Sequence, residues 1–212
     1  MSISNSLRGI LDTAARSLAE HPQGHLILPQ RRQIWAALGP LLRQGNRALP
    51  SVGHSRRGTL AILCARKVAT FWHEALPDDQ GFEEMLTLAK DTLAGSALPE
   101  KVKKRKDRFW TYLDNLISRD AELRAIYAGA AAEKSVSAAL IDEVFDPVKP
   151  DDPTKDEDLD AYQWDASLYA SAAFADGFTW DEGSSLSQRR EFWQWYLETA
   201  VLQAWSAFPG VS

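Results

Sequence analysis

Residues 189–204 read RREFWQWYLETAVLQA, and the spacing of the large side chains in this stretch decides the fold class. Phe192, Tyr196, Thr199 and Gln203 fall on one side of a 3.6-residue helix, and Trp193, Leu197, Ala200 and Ala204 form the neighbouring stripe. The period-two alternation of a half-buried strand is missing. Core packing is therefore the expected role of Phe192, Trp193, Tyr196 and Leu197. Trp195 falls off the main stripe, so it either covers an adjoining loop or anchors a partner.

The same three-and-four spacing recurs upstream. Leu7, Ile10, Leu11, Ala14 and Leu18 make one stripe, and Pro29 suits the first turn of a second helix carrying Ile34, Trp35, Leu38, Leu41 and Leu42, which Pro40 should kink or end early. Residues 45–58 read as a Gly/Pro/Ser loop, with Thr59 placed to cap a helix that carries Leu60, Leu63, Val68, Phe71 and Trp72 and stops at Leu76-Pro77. Further helices are expected from about Phe82 to Gly95, from Pro99 through Leu116, and over the Ala-rich stretch from about Ala121 to Val144. The segment 146–158 (DPVKPDDPTKDED) is dense in acid and proline and reads as a loop. Two more helices follow, near Leu159–Ala175 and Ser185–Phe208, across a turn holding Gly177, Trp180 and Gly183. The expectation is an all-α fold: residues 1–212 form a single compact domain of about eight helices, with no sheet of three or more strands.

Composition sets the class. The chain has 212 residues, 45% of them hydrophobic, and one cysteine, so a core can form without disulfides. Cys64 lies on an apolar helical stripe, which suits a reducing compartment, and no apolar run reaches the length of a membrane span, so a cytoplasmic location is expected. The net charge of −5 hides a segregation. Residues 1–67 hold ten bases and two acids, whereas residues 142–212 hold fifteen acids and four bases.

The search for reaction chemistry returns little. His73-Glu74 lacks the second histidine of a zincin helix, and His21 and His25 are separated by Pro22 and Gly24, so a polar loop is the expected setting of that pair. Cys64 reads as a buried structural thiol. Neither a nucleophile elbow nor a Walker or dinucleotide loop occurs. The stretch Gly53–Gly58 with Arg56 and Arg57 offers a weak anion cradle, and the basic run Lys101, Lys103, Lys104, Arg105, Lys106 and Arg108 points in several directions around its helix, which suits solvated lysines more than a nucleic-acid reading head. Arg189, Arg190 and Glu191 are placed to form structural ion pairs with the acid-rich loop. No metal and no cofactor is expected.

Three blocks carry a family resemblance: Leu28–Leu42 with Arg31 and Trp35, Leu60–Glu74 with Arg66 and Trp72, and a tail running from Trp164-Asp165 through Gly177 and Trp180 to Arg190, Glu191, Phe192, Trp193, Tyr196 and Leu197. Together they resemble an all-α family of immunity proteins, numbered five in the Imm series, whose members are encoded beside polymorphic toxin genes of bacteria. Where the family often has Pro-x-Trp-Glu and two glycines, this chain has Thr70-Phe71-Trp72-His73-Glu74 and Asp176-Gly177. The resemblance implies binding of a cognate toxin domain, without turnover. The alternatives from the residues are a helical enzyme using His73, Glu74 or the carboxylates near Trp164 and Asp165, and a helical nucleic-acid-binding regulator. For toxin recognition, the acids Asp151, Asp152, Asp156, Glu157, Asp158 and Asp160, read as exposed, would steer encounter with a basic cleft, with Trp195 as a possible anchor.

Overall fold

In the computed structural model of the protein, which describes residues 3–45, 47–119, 121–142 and 153–208, helices begin where the chain supplies a cap or a proline. α1 (Asn5–Glu20) starts at Ser4, whose Oγ accepts from the Leu7 amide at 3.2 Å, and buries Leu7, Leu11, Ala14 and Leu18. α2 (Leu28–Ala37) carries Pro29 in its first turn and stops ahead of Pro40. There follow α3 (Val52–Lys67), α4 (Ala69–Ala75), α5 (Gly81–Leu93), α6 (Pro99–Ile117), α7 (Leu123–Ile141), α8 (Ala166–Ala175) and α9 (Leu186–Trp195), which passes through a π turn at Tyr196–Ala200 into α10 (Val201–Ala207). Among the described residues the only strand pairing is a hairpin of two-residue strands, β1 (Arg43–Gln44) and β2 (Arg47–Ala48). The all-α class stands. No helix among the described residues is long and apolar enough to cross a membrane.

α7 is the centre. Every residue from Ala128 to Ala139 is buried, most of them small or apolar with Glu133 and Lys134 as the charged exceptions, and α3, α4, α5, α6 and α8 pack around it. The small side chains let neighbours approach closely: a Cβ on Gly129 would lie 2.5 Å from the Trp72 ring. Trp72 is fully buried among Phe82, Phe109 and Tyr112, with ring centroids 5.7–6.4 Å apart.

Several boundaries differ from the sequence reading, each for a local reason. Residues 52–58 are helix, because Ser51 is the cap: its Oγ accepts from the His54 amide at 3.0 Å. Arg56 and Arg57 thus point inward and cradle no anion. Arg57 donates to Trp35 O, Gly39 O and the Asp142 carboxylate, and Arg56 donates to Leu38 O and Phe208 O, so the two guanidiniums satisfy carbonyls left open where α2 and α10 end. Gly39 and Gly53 are in direct contact, since a Cβ on Gly53 would sit 2.7 Å from Gly39 C. The helix expected over 59–76 breaks at Val68 into α3 and α4. α7 ends at Ile141, with Asp142 in the left-handed region at φ 51°; Val144 lies outside the described residues. α8 starts at Ala166, later than the expected Leu159, because Asp165 is its cap.

The π turn accounts for the pattern quoted above. Buried Phe192, Tyr196, Ala200 and Ala204 are spaced by four, and a uniform α-helix would carry such a series gradually off one face. The one-residue-wider turn offsets that drift, so the stripe continues through Ala200, Val201 and Ala204 while Gln203 faces solvent. Trp193 is fully buried between Phe192 and Tyr196. Trp193→Ala is expected to cost about 3–5 kcal/mol of stability, read as a large fall in Tm. Gly177, at φ 134° with Asp181 and Ser184 only 3.1 Å from any added Cβ, should lose about 1–3 kcal/mol on substitution by alanine, checked by denaturant unfolding.

Candidate partner interface

A guanidinium with no access to water must find acceptors for five N–H groups, and Arg31 on α2 does so. Its Nε and Nη2 donate to Asp165 Oδ2 at 3.2 and 2.8 Å, Nη1 and Nη2 donate to the two Asp156 oxygens at 2.9 and 2.5 Å, and Nη1 also reaches Leu26 O at 2.8 Å. The Arg31 side chain is wholly buried beside Trp193 and Trp35, its carbon centre 5.4 and 5.9 Å from their rings. Asp165 does double duty: its Oδ1 accepts from the Ser167 and Leu168 amides and from the Ser167 hydroxyl, capping α8. His25 completes the cluster, with Nε2 donating to Asp156 Oδ2 at 2.9 Å.

These contacts set the charge states. Burial alone would raise the Asp156 carboxyl, but the Arg31 charge and the bonds from His25 and Arg31 outweigh it and hold the group well below the ordinary carboxylate range. Burial would likewise lower Arg31, and its two carboxylates more than offset that. His25 is lowered, first by burial and then by Arg31, against the opposing pull of Asp156. Its Nδ1 is buried without a partner, so a second ring proton would gain nothing there.

The cluster changes the reading of the acidic segment. Asp151 and Asp152 lie outside the described residues. Asp156 is not exposed but buried against Arg31, because a fully desolvated guanidinium requires opposing carboxylates. Glu157, Asp158 and Asp160 do face solvent. They sit on two short 3₁₀ turns, Asp156–Asp158 and Ala161–Gln163, in which Asp158 accepts from the Lys155 amide and Asp160 from the Tyr162 amide. The segment is held at Asp156, by its side chain on Arg31 and by its carbonyl, which accepts from Trp164 Nε1 at 2.8 Å.

Trp164 belongs to an aromatic ladder. Tyr162 lies on Trp110 (5.0 Å), Trp110 meets Tyr169 (6.2 Å), Tyr169 meets Trp164 (5.5 Å), and Trp164 meets both Phe178 (4.7 Å) and Trp180 (5.5 Å). Beside the segment runs a cleft of about 520 Å³ between the α1–α2 loop, residues 153–157 and Thr179-Trp180. Trp180 and Ile27 on its walls are 39% and 37% exposed.

The remaining expected residues are structural. Trp35 Nε1 donates to Tyr196 Oη at 3.0 Å, Leu197 is buried, and Arg66 holds Glu83 through both nitrogens at the surface. Arg189 and Arg190 do not pair with the acidic segment. Arg189 donates to the Gln23 and Phe178 carbonyls and to Ser184 Oγ, and Arg190 donates to His21 O, because the start of α9 faces those turns; Glu191 is exposed. Trp195 is half-buried on Phe192, with Lys67 Nζ 5.3 Å from its ring, and so covers α3. In the basic run, Arg105 pairs with Glu84 and Lys106 with buried Glu133. Cys64 is buried, and its thiol is pushed well above its ordinary value, chiefly by burial. Among the described residues no three His, Cys, Asp or Glu side chains converge to hold a metal ion. Sequence reasoning missed the His25–Asp156 contact, the Arg57–Asp142 pair and the exposed Tyr162. Only Asp165 carried a local signal, an acid directly before an apolar helix.

Two outcomes follow. Asp156→Asn is expected to destabilise the fold by about 3–5 kcal/mol at neutral pH, because it leaves Arg31 underpaired in the interior; its carboxylate contributes above the unfolded value near pH 4 and less as pH falls below it. His25 acts with the other sign of charge: the fold favours its neutral form, so stability should fall as pH drops through about 6.5, where the unfolded histidine takes a proton. His21, lowered by burial and by Arg190 and Arg189, adds in the same direction. Tm measured at pH 7.5 and 5.5 should decline in the parent and decline less in His25→Gln.

No curated protein matches the chain. A family model described as Immunity protein Imm5 matches residues 11–203, which takes in the Arg31, Asp156 and Asp165 cluster and every described element from α2 to α9, and the chain therefore belongs to the Immunity protein Imm5 family.

Proposed function

We propose that this chain binds a cognate bacterial toxin domain and neutralises it by occupying its active cleft, acting in the cytoplasm by contact, without catalysis and without a metal or cofactor. The family match over residues 11–203 carries the reading. A protector of this kind must associate fast, which favours fixed charge at the rim of the interface. Glu157, Asp158 and Asp160 supply such charge, and the Asp156–Arg31 contact keeps their backbone in place, so little ordering remains to be done on binding. A toxin acting on a phosphate-rich substrate has a basic cleft, the surface that three outward carboxylates attract. The chain is further proposed to fold as one unit, since a continuous core joins Leu7 on α1 to Ala204 on α10.

Co-expression with the toxin domain encoded beside the gene tests the reading: growth should be rescued by the parent chain, and failure of rescue with soluble protein present would count against it. For the kinetics, the triple variant Glu157→Gln, Asp158→Asn, Asp160→Asn leaves Asp156 untouched and should fold normally. Its on-rate at low salt is expected to fall by roughly tenfold, with a smaller change in off-rate, measured by stopped-flow at two ionic strengths.

A further inference from the structure

The cleft beside the acidic segment combines three features that belong together only if something enters it. One wall is Trp180, whose ring is fixed by Phe178, stacked at 4.8 Å and 5°, and by Trp164, yet remains substantially exposed. The opposite wall is residues 153–157, where the Glu157 carboxylate is half exposed and pairs with Lys155 Nζ at 3.2 Å. An ion pair between two such solvated ends is worth little and exchanges readily. The floor includes His25, buried to all but 6%, with Nε2 committed to Asp156 and Nδ1 lacking any partner among the described residues.

An aromatic face and a carboxylate are complementary to a cationic side chain rich in N–H donors. Lys155 on the same wall is the competing base, held only by its exchangeable pair with Glu157, and the exposed apolar walls, Ile27 and Trp180, suit the aliphatic stem of a long basic residue. The volume, about 520 Å³, holds one such side chain with room to spare.

We infer that this cleft is the socket for one basic side chain of the toxin domain, with Trp180 and Glu157 as its principal contacts. The inference rests on the toxin-binding reading above and adds to it the position and chemistry of the anchor. It moves the aromatic anchor from Trp195, which is packed on α3, to Trp180.

The test uses the full chain and the purified toxin domain encoded beside its gene. Kd is measured for the parent and for Trp180→Ala, Trp180→Phe and Glu157→Gln, and each is measured again against toxin variants in which single Lys or Arg residues are changed to Ala. Trp180→Ala and Glu157→Gln should each weaken binding by tenfold or more, Glu157→Gln with Tm unchanged, and Trp180→Phe, which keeps a ring on Phe178, should keep most of the parent's affinity. One toxin base should lose its effect when Trp180 is already alanine. Parent-like Kd for Trp180→Ala and Glu157→Gln, or additive losses with every toxin base, would overturn the socket while leaving toxin binding intact. Absence of binding by the parent chain would overturn both.

Discussion

The buried guanidinium of Arg31 is the contact on which the placement of residues 156–165 depends. Two carboxylates from different parts of the chain meet on it, Asp156 from the segment after α7 and Asp165 from the start of α8. Replacing such a cluster with apolar residues often costs nothing in stability, so its presence here is better explained by placement than by energy. With five N–H groups in a planar fork, Arg31 accepts only one arrangement of the two acids. That arrangement fixes the backbone of residues 156–165 and so decides where Glu157, Asp158 and Asp160 point.

A second layer of constraint is aromatic. The ladder from Tyr162 to Trp180 ties the same segment to α6, α8 and the turn before α9, and each ring pair adds a modest geometric preference to its burial. Polar cluster and ladder share Trp164, whose indole N–H binds the Asp156 carbonyl. A segment without α-helix is thereby tied down by side-chain contacts at several points. The family-motif residues serve this framework: Arg31, Asp165, Trp164 and Gly177 shape the mount.

Much of the helix content was legible from spacing and punctuation. Pro29 and Pro99 mark helix starts, and the Leu7 to Leu18 stripe is buried. The errors were also local in origin. The expected loop over 45–58 with Thr59 as cap gives way to a helix capped by Ser51, in which Gly53 is required by the approach of Gly39 and both arginines are satisfied by carbonyls that no local rule brings near.

The division follows from what a one-dimensional pattern can encode. Helical class, the acidic and basic ends of the chain, the buried aromatic stripe of α9 and the family relationship are all properties of residue type and spacing, and each is fixed within a turn or a block of sequence. Which acids face outward is different. Asp156 and Glu157 are adjacent and chemically alike, and only the arrival of Arg31, 125 residues earlier in the chain, buries one and leaves the other in solvent. The same holds for His25, whose neutral form is favoured by burial and by Arg31 against the pull of Asp156, and for the cleft, whose walls come from three separate segments. Desolvation and pairing depend on distances in space, so tertiary structure alone decided them.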